Sequence, residues 1–383
     1  MTTARHTVTV PHGYRVGAWE VHGPLASGAF TTVYGAHRGR GLPRTAALKF
    51  WPTDARTPHR PDRLRDLVER EIALLGRLRS PRLIRMYDTL VVDDPRHPEL
   101  DGATVLVLER ADSCLATAPA PADPGPVLLQ ICEGLAQLHA AGWVHGDLKP
   151  ANVLLMPDGS VRLADFNTAA ELEGPHAYAP PFTSRDYTPP EQLWPEMDER
   201  GARVRPSVDV WAFGVLAHTI LTGAFPFPGS TTGARCDAAA RYAHTTQPLR
   251  LPAALPSPWR EIVRDCLARA PPTAPTPARC CTAYSTSPTT GRPNAPHDDV
   301  RFFAQPQQCG RARTVRATVG TAEPGHHTPR SPAIPAATVL RPRHNGPGAP
   351  PEERWPPRLS PARRRTPRPP GPGLRAGRTH RWE

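Results

Sequence analysis

Lysine is nearly absent from this sequence. Among its 47 lysine and arginine side chains, only Lys49 and Lys149 are lysine. A lysine ammonium is a compact charge, whereas an arginine guanidinium is a broad planar fork, so the two are not equivalent beside a small anionic group. Since the chain uses arginine at every other basic position, we predict that these two sites have a chemical task that requires lysine.

Cysteine is also scarce and widely scattered. The seven cysteines form neither CxxC pairs nor a pattern with histidine at zinc spacing, and only Cys280 and Cys281 are adjacent. This usage argues against a secreted disulfide framework and against a structural zinc site. It predicts reduced thiols in a cytoplasmic protein.

Long apolar runs are missing as well. The first residues, MTTARHTVTVPHGYRV, lack the apolar centre of a signal peptide. The longest apolar run, VDVWAFGVLAHTILTGAFPF, contains Asp209 and His218 and is broken by glycine and proline. It predicts a buried helix and not a membrane span.

The end of the chain lacks acidic and large apolar residues. Basic and acidic side chains are equal in number up to Ala270, so the net charge of +12 belongs to residues 271–383. Almost half of the 51 prolines lie there, and the apolar content is below what a packed core requires. We predict a disordered basic tail that binds anionic partners nonspecifically and contains no nucleic-acid module. Because the tail also lacks repeats and interleaved aromatic residues, a frame-shifted coding sequence is favoured over a natural regulatory tail.

Short β-type runs alternate with turns over the first hundred residues, and one amphipathic helix interrupts them. The helix is predicted to begin at Pro61, and its apolar stripe contains a carboxylate, Glu71. A buried carboxylate needs a cationic partner, and Lys49 at the end of an apolar β-run is the candidate. The alternative is that Glu71 lies at the edge of the stripe and reaches water. The apolar members of the stripe are Leu64, Leu67, Leu75 and Leu78.

An Ala/Pro-rich stretch at 111–125 is predicted to be a hinge. A second helix, PVLLQICEGLAQLHAAG, follows it and is predicted to end at Gly142. The polar residues Asp147, Asn152 and Asp165 then lie at the edges of short strands. The pattern therefore predicts a β-rich first lobe, a hinge and a helical second lobe.

Several motifs follow one another along residues 16–270: TAALKF, HGDLKPAN, LADFNTA, TSRDYTPPEQL, SVDVWAFGVL and LTGAFPF. In this order they resemble the eukaryotic-type protein kinase family, in its bacterial form. The resemblance implies an α+β, two-lobed protein-kinase-like fold with a β-rich N-lobe at 16–111 and a helical C-lobe at 112–270. Residues 1–15 would be an N-terminal extension, and 271–383 the disordered tail.

The resemblance also implies roles for individual residues in ATP- and Mg²⁺-dependent phosphoryl transfer. Asp147 would accept the hydroxyl proton, and Lys149 would neutralise the transferred phosphoryl group. Asn152 and Asp165 would bind Mg²⁺, which prefers oxygen ligands. Lys49 would contact the α- and β-phosphates and Glu71 would orient it. The residues assigned to the nucleotide site are Ala26, Gly28, Val33, Ala47, Lys49, Glu71, Glu109, Ala111 and Leu154.

Three departures from the family pattern affect the site. Only Gly28 remains of the three glycines that should cover the phosphates, so we expect weakened ATP affinity. Asn167 replaces the glycine of DFG, and asparagine tolerates the positive φ that this turn requires. Gly146 replaces the arginine of HRD, which in the family clamps a phosphorylated activation loop. Phosphorylation of Thr183 or its neighbours is therefore not expected to control activity.

A fourth departure lies at the end of the C-lobe. The family pattern CLxxDPxxRP is represented here by CLARAPPTAP, with Ala270 and Ala274 in place of the acid and the arginine. That arginine would pair with Glu191, so the C-lobe is expected to be incomplete at its C-terminal end.

Two other functions are compatible with part of this pattern. HGDL followed by proline and asparagine also occurs in aminoglycoside and choline phosphotransferases, which phosphorylate small molecules. The segment around Ser184 resembles a peptide-docking segment, and Lys149 is typical of serine/threonine specificity, so a kinase with protein substrates is favoured over a small-molecule kinase. The altered glycine loop keeps a third possibility open, a pseudokinase or scaffold.

Overall fold

In the computed structural model, the placement of residues 8–52, 61–180, 184–246, 248–253, 255, 257–269 and 312–319 is described. Several predictions fall outside these ranges. They concern Thr183, Ala270, Ala274, the Cys280–Cys281 pair and the tail apart from residues 312–319.

Seven strands form a closed barrel in the first lobe, in the order β1-β15-β5-β6-β4-β3-β2. One helix, α1 (Pro61–Arg77), begins at the predicted proline and packs beside the barrel. The strands are β1 (Tyr14–Val16), β2 (Trp19–Ser27), β3 (Thr32–His37), β4 (Thr45–Trp51), β5 (Met86–Asp93), β6 (Thr104–Leu108) and β15 (Arg313–Val319).

The two faces of the barrel wall have different tasks. On β4, Leu48 and Phe50 point into the barrel interior, where Val8 and Val10 from the N-terminal segment are also buried. Alternate residues of a strand point to opposite faces, so Lys49 points out of the barrel. The outward face of β4 therefore presents the charged side chain of Lys49, while its inward face contributes to the apolar core.

Strand β15 is formed by a segment of the basic tail. It pairs antiparallel with β1 and parallel with β5, and so closes the barrel. This strand differs from the expectation of a tail without secondary structure. The physical reason is that the alternation of Val315, Ala317 and Val319 with polar residues matches a half-buried strand, although the average composition of the tail does not favour order.

The second lobe is mainly helical. It contains α2 (Gly125–Ala140), which ends before Gly142 at a φ of 80°, as the predicted C-cap requires. The remaining helices are α3 (Ser207–Thr222), α4 (Thr232–His244) and α5 (Ser257–Cys266). The predicted two-lobed α+β fold is confirmed.

Helix α3 contains most of the longest apolar run. Its residues from Val208 to His218 are buried, including Asp209, which confirms the prediction of a buried helix. Within the described part of the chain, no helix has both the length and the apolar character needed to cross a membrane.

Short strands between the helices hold the loops of the second lobe. Two small sheets have the orders β10-β9-β7 and β12-β14-β13, and β11 pairs with β8. These strands are β7 (Ser113–Cys114), β8 (Trp143–Val144), β9 (Val153–Leu155), β10 (Val161–Leu163), β11 (Ala170–Glu171), β12 (Ala177–Ala179), β13 (Met197–Asp198) and β14 (Gly201–Val204).

Candidate active site

Lys49 on β4 is bonded to two carboxylates. Its Nζ donates to Glu71 Oε1 at 2.8 Å, to Glu71 Oε2 at 2.6 Å and to Asp165 Oδ1 at 2.6 Å. Glu71 has no exposed surface and Lys49 is 4% exposed. The structure therefore forms the predicted pair, and it explains why a carboxylate interrupts the apolar stripe of α1.

Burial and charge act in opposite directions on these three groups. Burial disfavours the ammonium of Lys49, but Asp165 and Glu71 outweigh burial and raise its pKa. Burial raises the pKa of Glu71 even though Lys49 opposes this effect. Burial also acts to raise the pKa of Asp165, but Lys49 outweighs burial and lowers it. Lys49 is thus held charged and Asp165 ionised near neutral pH.

Helix α1 is attached to the activation segment, which we define as residues 165–191. The backbone N–H of Phe166 lies beside the Glu71 carboxylate and acts to lower its pKa. Arg70 Nη1 donates to Tyr178 O at 2.8 Å, and Arg77 Nη1 lies 3.0 Å from Glu171 Oε2. These contacts hold α1 in the position that the Lys49–Glu71 pair requires.

Asp147 and Lys149 lie together in the loop between β8 and β9. Lys149 Nζ donates to Asp147 Oδ2 at 2.5 Å and to Ser184 Oγ at 3.0 Å. Asn152 Nδ2 donates to Asp147 O at 2.8 Å. The loop therefore brings together the two residues predicted to be catalytic, one predicted metal ligand and the serine of the predicted docking segment.

Asp209 fastens this loop to α3. Its carboxylate accepts hydrogen bonds from His145 N at 2.8 Å, Gly146 N at 2.9 Å and His139 Nε2 at 2.8 Å. Asp209 therefore caps the backbone of this loop. Burial acts to raise the pKa of Asp209, but the hydrogen bond and charge of His139 outweigh it and lower the pKa. His139 was missed by sequence reasoning because it is 70 residues from Asp209 and belongs to no motif.

The turn after β10 differs from the expectation for Asn167. Within this turn, Asp165 and not Asn167 has a positive φ, at 66°. Asn167 lies in a 3₁₀ turn, Phe166–Thr168. The left-handed conformation is tolerated at Asp165 because aspartate, like asparagine, is enriched in this region among non-glycine residues. The turn directs the Asp165 carboxylate to Lys49.

Three of the residues assigned to the nucleotide site belong to one apolar cluster. Val33 and Leu154 pack against the cluster of buried residues that includes Ala47. Ala26 and Gly28 lie on the exposed β2–β3 hairpin, where Gly28 N donates to Thr31 O at 2.8 Å. The hairpin thus provides a turn at the position of the glycine-rich loop.

The connection between the lobes is anchored at both sides of Ala111. Glu109 N donates to Arg85 O at 2.8 Å, and Asp112 N donates to Leu155 O at 3.0 Å. This short segment, residues 109–112, runs from β6 to β7 and overlaps the predicted hinge at 111–125 only at residues 111 and 112. The two backbone contacts thus hold the chain on both sides of Ala111.

Glu191 is exposed and forms no ion pair with any residue in the described ranges. The activation segment is instead attached to α4 by Arg235, whose Nε and Nη2 donate to the two oxygens of Asp186 at 2.7 and 2.9 Å. Thr232 Oγ1 donates to Asp186 Oδ2 at 2.8 Å. Sequence reasoning missed this anchor because Asp186 and Arg235 are distant in the chain.

Comparison with known proteins agrees with this arrangement. The family model of the protein kinase domain matches residues 19–284. Over 222 residues, the chain is 32% identical to the serine/threonine-protein kinase pkn2 of Myxococcus xanthus, covering 56% of this chain and 25% of that protein. Over 225 residues, it is 33% identical to the serine/threonine-protein kinase PknL of Mycobacterium tuberculosis strain H37Rv, covering 55% of this chain and 51% of that protein.

A eukaryotic relative matches a similar part of the chain. The calcium/calmodulin-dependent protein kinase type II of Caenorhabditis elegans is 30% identical over 215 residues, which are 55% of this chain and 28% of that protein. The matched part thus spans between a quarter and about half of each of these relatives. Because the family model covers more than half of the sequence, this chain belongs to the protein kinase domain family.

Proposed function

We propose that the chain is a serine/threonine protein kinase that transfers the γ-phosphoryl group of ATP to hydroxyl groups of protein substrates. The contact that carries this proposal is the bridge from Lys149 Nζ to Asp147 Oδ2 and Ser184 Oγ. It places a carboxylate and a cation beside the segment predicted to receive the substrate.

The donor set fits a magnesium ion. Asp165 provides an ionised carboxylate, and Asn152 provides an amide oxygen because its Nδ2 is used by Asp147 O. Ala164 N donates to Asn152 O at 3.0 Å, which holds the residue preceding Asp165 against Asn152. Mg²⁺ binds a few protein oxygens together with water and phosphate oxygens, so two protein ligands suffice.

Within the chain, Asp147 is suited to accept the substrate proton. One of its oxygens, Oδ2, is bonded to Lys149, while Oδ1 is buried and has no hydrogen-bond partner among the described residues. We assign the Asp147 carboxylate as the group that takes the hydroxyl proton. When bound, ATP would supply the phosphoryl group, and Mg²⁺ would neutralise part of the charge on the phosphate oxygens.

Lys49 is suited to bind the phosphates because Glu71 and Asp165 hold its ammonium in one position. Holding charges in place before the reaction is the main contribution of a protein to phosphoryl transfer. Because Lys49 and Glu71 are paired, the site supports an active kinase over a pseudokinase or scaffold. The part of the activation segment around Asp186 supports protein substrates over small molecules, because Arg235 anchors it to α4. We further propose a cytoplasmic location and nonspecific binding of anionic partners by the basic tail.

The test compares Asp147→Asn with Asp158→Asn, a matched change in an exposed turn between β9 and β10. Transfer of radioactive phosphate from ATP to a generic basic protein is measured, followed by analysis of the phosphorylated amino acids. Asp147→Asn is expected to lower the rate about 10²- to 10⁴-fold, and Asp158→Asn to leave it unchanged. Equal rates for the parent and Asp147→Asn contradict the proposal, as does transfer to aminoglycosides or choline alone.

A further inference from the structure

The N-lobe barrel is closed by a strand that comes from a distant part of the sequence. Arg15 and Val16 of β1 pair with Thr318 and Ala317, and the other side of β15 pairs with β5 from Leu90 to Asp93. Both edges of β15 are therefore used. Without this strand, β1 and β5 would each present an open edge of unpaired backbone groups.

The side chains of β15 follow the pattern of a strand with one buried face. Ala317 is 1% exposed and belongs to the barrel core, and Val315 packs against that core. Arg316 and Thr318 are exposed. A slip of one residue would bury Arg316 or Thr318, so this alternation specifies the register.

Charge also favours this placement. Arg313 forms an ion pair with Asp88 on β5, and the register partner of Arg316 is Asp93 on the same strand. A basic segment thus lies along an acidic edge. The exposed pair contributes little free energy, but it disfavours a reversed orientation of the segment.

The two halves of β15 are packed to different degrees. Val315 borders a cavity of about 350 Å³ that is also lined by Gly17, Trp19 and Leu90. Ala317 lies deeper and has almost no exposed surface. Ala317 is therefore the position at which a change should most affect docking.

We propose that the edge between β1 and β5 is a strand-docking site whose occupant is this chain's own segment Arg313–Val319, and that its docking maintains the closed N-lobe barrel. The connecting residues 270–311 span more than about 100 Å when extended, so their length does not limit docking within one molecule. This structural role of β15 is separate from phosphoryl transfer. It implies that residues 313–319 belong to the natural protein and do not result from a frame shift.

The first experiment tests the register by disulfide trapping in the full chain. Arg15 and Thr318 are partners in the ladder, and both are exposed, so Arg15→Cys with Thr318→Cys places two thiols within bonding range. Arg15→Cys with Arg316→Cys is the control, because it is two residues out of register on the same face. Mass spectrometry identifies the linked peptides despite the natural cysteines.

A mixture of ¹⁵N-labelled and unlabelled protein distinguishes docking within one molecule from docking between two copies. We expect the Arg15–Thr318 pair to link at least tenfold faster than the control, with both peptides carrying the same label. Equal rates for the two pairs, or linked peptides of mixed label, overturn the proposal.

The second experiment compares Ala317→Asp with Thr318→Asp, which puts the same charge on the exposed face of the same strand. Hydrogen exchange is measured in β5, β1 and α3. Ala317→Asp is expected to abolish protection in β5 and β1, to leave α3 protected and to lower the unfolding temperature by about 5 °C or more. Thr318→Asp should behave as the parent. Unchanged protection of β5 in Ala317→Asp overturns the proposal, and neither experiment depends on catalysis.

Discussion

Removing the ammonium of Lys49 should destabilise the fold by an amount that the structure allows us to estimate. Lys49→Met leaves Glu71 fully buried without its cation, 0% exposed, while the Asp165 side chain is 33% exposed and can be hydrated. Breaking a buried ion pair by removing one partner typically costs about 3–5 kcal/mol. Because one of the two carboxylates can reach water, we expect a loss near the lower end, about 3 kcal/mol in the free energy of unfolding.

Two further variants separate charge from packing. Lys49→Met with Glu71→Gln removes both charges but keeps an acceptor for the Phe166 N–H, so at least half of the lost stability should return. Arg77→Met breaks an ion pair whose side chains are 58% and 56% exposed, and should cost less than about 1 kcal/mol.

Urea unfolding of the full chain, followed by circular dichroism, measures these differences, and phosphate transfer is measured in parallel. Both Lys49 variants should be inactive although their stabilities differ. If Lys49→Met is as stable as the parent, or if the double variant is no more stable than the single one, the buried pair does not have the energetic role inferred here.

Three other predictions concern the catalytic loop and the activation segment. Gly146 has a φ of 77°, so Gly146→Ala should lower the free energy of unfolding by about 1–2 kcal/mol, whereas Gly146→Asn, measured in the same urea titration, should cost less. Asp209→Asn should cost about 2 kcal/mol at pH 7. Folding lowers the pKa of Asp209, so the ionised carboxylate stabilises the folded protein at any pH above its unfolded pKa. This stabilisation is lost as the pH falls through the folded pKa. The parent and Asp209→Asn should therefore become equally stable in acid. Phosphatase treatment should leave most of the kinase activity, since Arg70 and Arg77 hold the activation segment without phosphate; loss of most activity would contradict this.

The sequence predicted the active-site chemistry more completely than it predicted the contacts that support it. The anomaly of Glu71 in an apolar stripe and the rarity of lysine led to the Lys49–Glu71 pair, because a buried carboxylate needs a cation wherever it occurs. The roles of Asp147, Asn152 and the nucleotide-site residues in transfer stay predictions.

Sequence reasoning failed where a contact joins elements far apart in the chain. His139 with Asp209 and Arg235 with Asp186 belong to no local pattern. The positive φ was expected at Asn167 and occurs at Asp165, since the tolerance of a residue for a conformation does not show which residue the turn places there.

The sequence by itself determined the order of the chemical groups, the start of α1 at Pro61 and the burial of α3, because local periodicity and residue type are enough to specify these features. Only the tertiary structure decided that β15 closes the barrel. An isolated alternating segment of seven residues has no stability until two open strand edges are available on either side of it. Average composition therefore did not predict β15, because the docking of this short segment depends on edges that exist only after the N-lobe has folded.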